Sequence, residues 1–466
     1  MSLRDVIKTF SSILPEVPKP ARKPSFKERI IWTGIALVLY LVMSEIPLYG
    51  VPKITGADQL AFFRIIFAAQ RGTLMELGIG PIVTAGLISQ LLVGSEIIRL
   101  DFSKPEDRSF FSAFTKVFTI IFIVLEATLY TVSGAITGGA AILPSEVQIV
   151  VILELIGASV AVFMLDQMVQ KGWGIGSGIS LFILAGVALK FMLDMFSPLT
   201  IPEYYGFVPF LVNSTMYGDL SRIVFRGPNL PSLLGLISTL AFIFFIVYLE
   251  GVRIELPITS TRFKGFGGVY PIKLLYVSNI PVILVGALVA DIQFFVVLAH
   301  NWIGDNPYLS WLGVFNERGA PVGGLLYYIS PPSPLPWALA DPIRIFTYVG
   351  FMVVFSILFA KLWVELGGMS AEKAAKSLLD AKVHLPGFRS TRSSIQYVLS
   401  KYIPTVTLLG GIIIGLIASL SSLLGVFSSG IGLLLMIDIT INYYQMLVRE
   451  HIEVLMPRLG GILGRR

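Results

Sequence analysis

Four acidic side chains stand where acid is costly. Glu126 alone interrupts the apolar stretch 117–145, Glu154 alone interrupts 147–165, and Asp291 and Asp438 fall within or beside equally apolar runs. A charge at the centre of a membrane-spanning helix costs about 2.5–3.5 kcal/mol on insertion scales, so such residues are functional candidates by default. Carboxyls in that setting can relay protons or bind small cations, which is the chemistry of an ion-coupled secondary transporter. The alternative for each is a structural bond between helices or a place nearer the interface, and Asp291 and Asp438 suit that alternative. Other chemistries are excluded. The chain has no cysteine, so thiolate catalysis and Cys-ligated zinc are out. His300, His384 and His451 lie far apart and form no HExxH. No Gly-Lys dipeptide occurs, hence no phosphate-binding loop of the ATPase type, and the run Gly172-Trp-Gly-Ile-Gly-Ser-Gly178 lacks a complete GxGxxG. No enzyme and no cofactor are expected.

The elements that must carry these residues follow from composition. The chain has 466 residues, 55% apolar and only 14% charged, against about 25% charged in soluble domains. A crossing helix needs about 20 mainly apolar residues. Ten spans are expected, near 30–46, 75–93, 110–130, 147–166, 175–193, 231–249, 274–296, 343–364, 402–424 and 429–448. The last two share one apolar stretch that Gly425, Ser428, Ser429 and Gly430 divide. Placing both termini in the cytoplasm puts 27 Lys and Arg in the inner segments and 8 in the outer ones, over nearly equal lengths. The positive-inside rule selects that orientation.

Three segments depart from a plain bundle. Leu3, Val6, Ile7, Phe10, Ile13 and Leu14 follow helical spacing before the basic, Pro-rich stretch 18–29, as in a helix lying on the inner membrane surface, or else packed as a small stub. Residues 57–69 are apolar but too short to cross, and they carry Arg64; a short helix of that kind is shielded by protein, lines a cavity, or lies at the interface. Glycine and proline crowd beside branched aliphatics around Ile79, Ile175, Ile280 and Ile431. Ile79 with Val83, and Ile175 with Ile179, sit at i,i+4 and should share a helix face. Converging faces of this kind would make an apolar collar that excludes ions by dewetting, although ordinary packing explains the same pattern. The basic loops 250–273 and 366–401 suit topology, anionic lipid or ribosomal RNA, without aromatic interleaving for sequence-specific nucleic-acid readout. Asn213-Ser214-Thr215 fits a glycosylation sequon, a motif common by chance.

Several runs together resemble the SecY family of protein-conducting channels. These are Arg71-Gly-Thr-Leu-Met-Glu-Leu-Gly-Ile-Gly-Pro-Ile-Val-Thr84, Gln90-Leu-Leu-Val-Gly94, Gly251-Val-Arg-Ile-Glu-Leu-Pro257, Tyr270-Pro-Ile-Lys273, Tyr276-Val-Ser-Asn-Ile-Pro-Val-Ile283, Trp363-Val-Glu-Leu-Gly-Gly368, Gly387-Phe-Arg389 and Tyr402-Ile-Pro404. The likeness runs in order along nearly the whole chain, and its wording is closer to the archaeal and eukaryotic branch than to the bacterial one. It implies an all-α polytopic membrane protein, with ten transmembrane helices in two inverted pseudo-symmetric five-helix halves around a central pore, and a short plug helix. The implied segments are an amphipathic cytoplasmic stretch 1–29, a first half 30–195 with the plug at about 57–68, an external loop 196–230, a second half 231–448 and a cytoplasmic tail 449–466. The resemblance also assigns a pore ring to Ile79, Val83, Ile175, Ile179, Ile280, Ile283 and Leu435. It assigns a lateral gate to Thr84, Glu126 and Asn279, plug contacts to Leu60, Phe63, Arg64, Ile66 and Phe67, and ribosome binding to Arg262, Lys264 and Arg389. Thr259 departs from the basic residue that relatives often carry there. Implied partners are a SecE-like gamma subunit, a SecG-like or beta subunit, the translating ribosome, signal sequences, unfolded polypeptides and membrane lipids. The function expected is a passive channel that passes unfolded chains across the plasma membrane and releases apolar segments sideways, driven from outside the chain. The alternatives are the secondary transporter, which predicts acids converging on a compact polar site, and a scaffold without a pore.

Overall fold

The computed structural model describes residues 3–455 apart from 23, 53–59, 96, 103, 138–142, 201–204, 218–220, 228, 229, 261–266, 279, 305, 306, 308, 316–320, 381, 382 and 388–390. Its helices, in chain order, are α1 (Leu3–Ile13), α2 (Phe26–Glu45), α3 (Ala61–Phe67), α4 (Gly80–Gly94), α5 (Pro105–Val132), α6 (Ser145–Met168), α7 (Gly178–Phe196) and α8 (Phe207–Tyr217). They continue as α9 (Ser221–Val224), α10 (Leu233–Gly251), α11 (Ile280–Ile303), α12 (Gly324–Ile329), α13 (Pro342–Leu366), α14 (Ala371–Asp380), α15 (Arg392–Leu423) and α16 (Gly430–Leu455). The strands are β1 (Arg253–Ser260), β2 (Gly267–Lys273), β3 (Val314–Phe315), β4 (Pro321–Gly323) and β5 (Val383–His384).

Helix starts follow local chemistry. Ser25 and Glu28 form a reciprocal capping box at α2. Proline stands in the first turn of α4, α5 and α13, where a missing N–H costs nothing. Each expected span coincides with one helix: α2, α4, α5, α6, α7, α10, α11, α13, α15 and α16. Eight of these are long and apolar enough to cross a membrane by themselves; α2 carries charge at both ends, and α4 has only 15 residues.

That short α4 corrects the expected start at residue 75. The segment 73–79 is not helical, and Gly78 there has φ +56°, with its backbone pressed against the end of α3. A Cβ on Gly78 would lie 2.2 Å from the Phe67 carbonyl oxygen, so only glycine fits. Ile79 N–H instead donates to that carbonyl at 2.9 Å. At the other extreme, α15 begins ten residues before the expected span and runs through Pro404. The division between α15 and α16 falls where expected, with Gly425, Ser428 and Ser429 all at positive φ.

The packing joins an early group of spans (α2, α4–α7) to a late group (α10, α11, α13, α15, α16). On one side α4 packs against α5 and also against α11 and α13; on the other α7 packs against α16. Between them lies α3, touching α7, α11 and α16. One apolar core, drawing on both groups and on α3, fills the centre. A second core lies at the end where α13 and α15 extend beyond it. There β1 pairs with β2 in register Arg253 to Lys273 and also with β5 through Thr259 and Ser260, and α14 covers the assembly. The two basic loops are therefore joined in one folded unit. The sequon residues Asn213 and Ser214 lie inside α8, with Asn213 half-buried and Ser214 buried.

Candidate functional site

The short helix α3 buries Leu60, Phe63, Ile66 and Phe67 in the central core. Phe63 stacks on Phe294 of α11 at 5.0 Å and meets Phe67 edge-on at 4.7 Å. Burying such side chains contributes about 1.5–3 kcal/mol each. Close approach is made possible by glycine on the helices around it. A Cβ on Gly186 would press on Ala68 at 3.0 Å, and one on Gly286 would press on Ile66 at 3.2 Å. The α3 chain end is held as well, because Tyr40 donates its hydroxyl hydrogen bond to the Ala68 carbonyl.

Arg64 is the one charged side chain on α3, and the structure gives it a partner the sequence reading did not identify. Its guanidinium pairs with Glu76 at 2.7 Å, and Glu76 is 1% exposed. Tyr130, at the end of α5, donates to the same carboxylate and receives a long hydrogen bond from Arg64. The Gly72 N–H closes the set on the other carboxylate oxygen. Glu76 belongs to no helix, so no periodic spacing linked it to Arg64. The usable signal was the need of a buried arginine for a carboxylate nearby in the chain.

The seven collar candidates are all buried or half-buried. Ile79, Ile175 and Leu435 are buried; Val83, Ile179, Ile280 and Ile283 are half-buried. All except Ile175 belong to, or pack against, the core that holds α3. Ile79 and Val83 share the first turn of α4, with Val83 N–H donating to the Ile79 carbonyl. Ile175 and Ile179 do not share a helix face, which corrects that expectation. Gly172 and Gly176 take positive φ, and Ile175 stands in the turn between α6 and α7. Its N–H is fixed by the Thr33 hydroxyl at 2.9 Å, and Ile179 N–H by Asp166 at 2.9 Å.

The four acids do not converge on one site, although two of them meet. Glu154 accepts from Tyr49 N–H, and Asp438 accepts from Ser278 and Asn442, so both make structural bonds. Asp291 and Glu126 lie together with Thr84. The Thr84 hydroxyl, on α4, donates to Asp291 on α11 at 2.8 Å, bridging the two groups of spans. Glu126, 1% exposed, has the Asp291 carboxyl and the Thr84 side chain beside it. Of the three expected gate residues, Thr84 and Glu126 are thus brought together, Asn279 lies outside the described residues, and Asp291 supplies the contact from α11. Sequence reading had identified Asp291 only as an acid at membrane depth. Among the described residues no cluster of acids and histidines suits a metal ion.

Arg262, Lys264 and Arg389 lie outside the described residues. The segments that carry them leave the same sheet: 261–266 joins β1 to β2, and 388–390 follows β5.

Comparison with known proteins supplies the remaining link. The family model for SecY matches residues 73–444, and the model for the plug domain of Sec61p matches residues 38–72, which include α3. The chain is 39% identical to the protein translocase subunit SecY of Pyrococcus furiosus, covering all of both chains. It is similar to a solved structure of a protein-conducting channel, with TM-score 0.83, 35% identity, and coverage of 98% of this chain and 99% of that one. It also superposes on Sec61 in the canine ribosome-channel complex from the endoplasmic reticulum, with TM-score 0.81, 35% identity and the same coverage.

Proposed function

The chain belongs to the SecY family, and from that premise we propose how its own residues make a protein-conducting channel work. It is a membrane-embedded subunit of a protein translocase, with the ten-helix, two-half fold and plug of that family. The observation that carries the proposal is the position of α3 between the two groups of spans, buried against the collar candidates and held by the Arg64–Glu76 ion pair.

In this reading α3 is the plug, and Ile79, Val83, Ile175, Ile179, Ile280, Ile283 and Leu435 form the ring beneath it. Branched aliphatics offer a passing chain no fixed hydrogen bond or charge, so unfolded segments of any sequence slide through. When the channel is idle, ring and plug together exclude ions. The lateral gate lies where α4 and α5 meet α11 and α13, with Thr84, Asp291 and Glu126 at its polar centre. A signal sequence opens it by offering apolar surface to the separated helices, a shift between two populated states. Apolar segments then leave sideways into lipid. Energy comes from a translating ribosome or another motor. Arg262, Lys264 and Arg389, which follow in sequence the strands of one sheet, form the basic ribosome-facing surface, in keeping with the ribosome-bound state of the canine relative. A SecE-like gamma subunit and a SecG-like or beta subunit complete the assembly. The membrane is a plasma membrane, with both termini in the cytoplasm as the charge bias requires.

Single-channel recording in planar bilayers tests the reading. Deleting 57–68, or replacing Ile79 and Ile179 by Gly, should convert a closed protein into one that leaks ions. Conductance that stays at the closed level in both variants would remove the collar and plug assignments.

A further inference from the structure

The segment before the first span is bound to the bundle in an unusual way. One face of α1 packs on α5, leaving Val6 and Ile7 half-buried, while Phe10 and Ile13 remain 61% and 76% exposed. Lys116 of α5 is 8% exposed, and all three of its ammonium protons are taken by this segment. They go to the Ser11 carbonyl at 2.9 Å, the Leu14 carbonyl at 3.2 Å and the Glu16 carboxylate at 2.9 Å. A buried ammonium without such acceptors is strongly disfavoured, so α5 depends on the segment for its own stability.

The other oxygen of Glu16 pairs with Lys171, in the π-helical turn Val169–Trp173 that follows α6. Lys171 also donates to the Val17 carbonyl at 2.7 Å, Trp173 donates to the Pro18 carbonyl at 2.8 Å, and Val17 N–H donates to Gln167. The two lysines hold the Glu16 carboxyl down at about 2, well below its ordinary range. The same turn leads into Gly174, whose carbonyl accepts from Arg29, and then into Ile175. Glu16 therefore stands between a helix assigned to the lateral gate and the turn that presents a collar residue.

We propose that residues 4–18 act as a strap, clasped by Glu16, that makes the part of α5 around Lys116 and the turn carrying Ile175 move as one body when the gate opens. The proposal rests on the channel reading for what is being coupled, while the coupling itself is a property of the strap. It explains why a segment outside the spans satisfies a buried lysine completely, and why both arms of one carboxylate are spent on different helices.

The chain has no cysteine, so introduced ones are its only thiols. Spin labels at Ser109→Cys, on α5, and Ser180→Cys, at the start of α7, report the separation in the full chain. A narrow distance distribution is expected that does not move when a signal peptide is added. Glu16→Lys should broaden it severalfold, and Glu16→Gln, which keeps an acceptor for both lysines, should broaden it less. A distribution unaffected by Glu16→Lys, or one that shifts in the unmodified strap when signal peptide binds, would overturn the coupling. So would a strap released by Glu16→Lys, read as protease cleavage within 4–18, with the label distance unchanged. Each of these outcomes leaves the conductance of plug-deleted protein untouched, so the strap and the channel reading fail separately.

Discussion

Two ion clusters of similar composition hold different parts of this molecule, and burial sets them apart. Around α3, Arg64, Glu76 and Tyr130 are nearly sealed from solvent. Around the strap, Lys116 and Lys171 share Glu16, whose side chain is 55% exposed. A buried pair gains little over an apolar replacement of the same shape but is costly to break, because removing one partner strands the other's charge. A half-exposed pair is screened and rarely exceeds about 1 kcal/mol. The first arrangement suits an all-or-none latch on a plug; the second suits a tether that biases without trapping.

The largest effect should come from breaking the buried cluster asymmetrically. Glu76→Gln removes the buried carboxylate charge that pairs with Arg64 and should destabilise the seated plug by about 3–5 kcal/mol, read as idle conductance and as lost thermal stability. Replacing Arg64 and Glu76 together by Met and Leu should recover most of that loss. If the double replacement is as damaging as Glu76→Gln, the latch is not the source of the cost.

Next in size is the bridge between α4 and α11. Thr84→Val removes the donor to Asp291 and leaves a buried acceptor unpaired, a loss of about 1–2 kcal/mol. That corresponds to about tenfold in the closed-to-open ratio, so less apolar signal sequences should begin to insert. An unchanged threshold in a reconstituted insertion assay would shift the gate elsewhere.

Smallest is the acid response of the strap. Glu16 titrates lower in the folded protein than in an unfolded chain, where its ordinary value is 4.5. Its contribution is therefore complete above that value and is lost as pH falls through about 2. Protease protection of residues 4–18 should fade across that acid window by the equivalent of about 1 kcal/mol at most. In Glu16→Gln the fading should be absent and protection weaker throughout. A wild-type profile parallel to that variant's would assign the response to other carboxyls.

The same two clusters show how far the sequence could be read. Lys116, Lys171 and Glu16 are more than fifty residues apart in chain order, on α5, in the turn after α6 and in the irregular stretch after α1. Glu76 lies in an irregular turn, and Asp291 reaches Thr84 across 207 positions. Helical periodicity links residues three or four apart and says nothing about such pairs. The i,i+4 inference succeeded for Ile79 and Val83, which share a helical turn, and failed for Ile175 and Ile179, where glycines at positive φ interrupt the helix. Nothing in the sequence joined the two basic loops, because β5 has only two residues and no strand signature, yet it pairs with Thr259 and Ser260.

What the sequence determined by itself was the set of spans, the short apolar helix and the glycine-flanked aliphatics. Hydrocarbon accepts few solutions for a backbone, and each leaves a run of apolar residues of fixed length in the chain. Tertiary structure alone decided which carboxylate holds Arg64, which one meets Thr84, and where the N-terminal segment docks. Those choices depend on side chains brought together from distant positions in a medium where an unpaired charge is intolerable, so they exist only once the helices have packed.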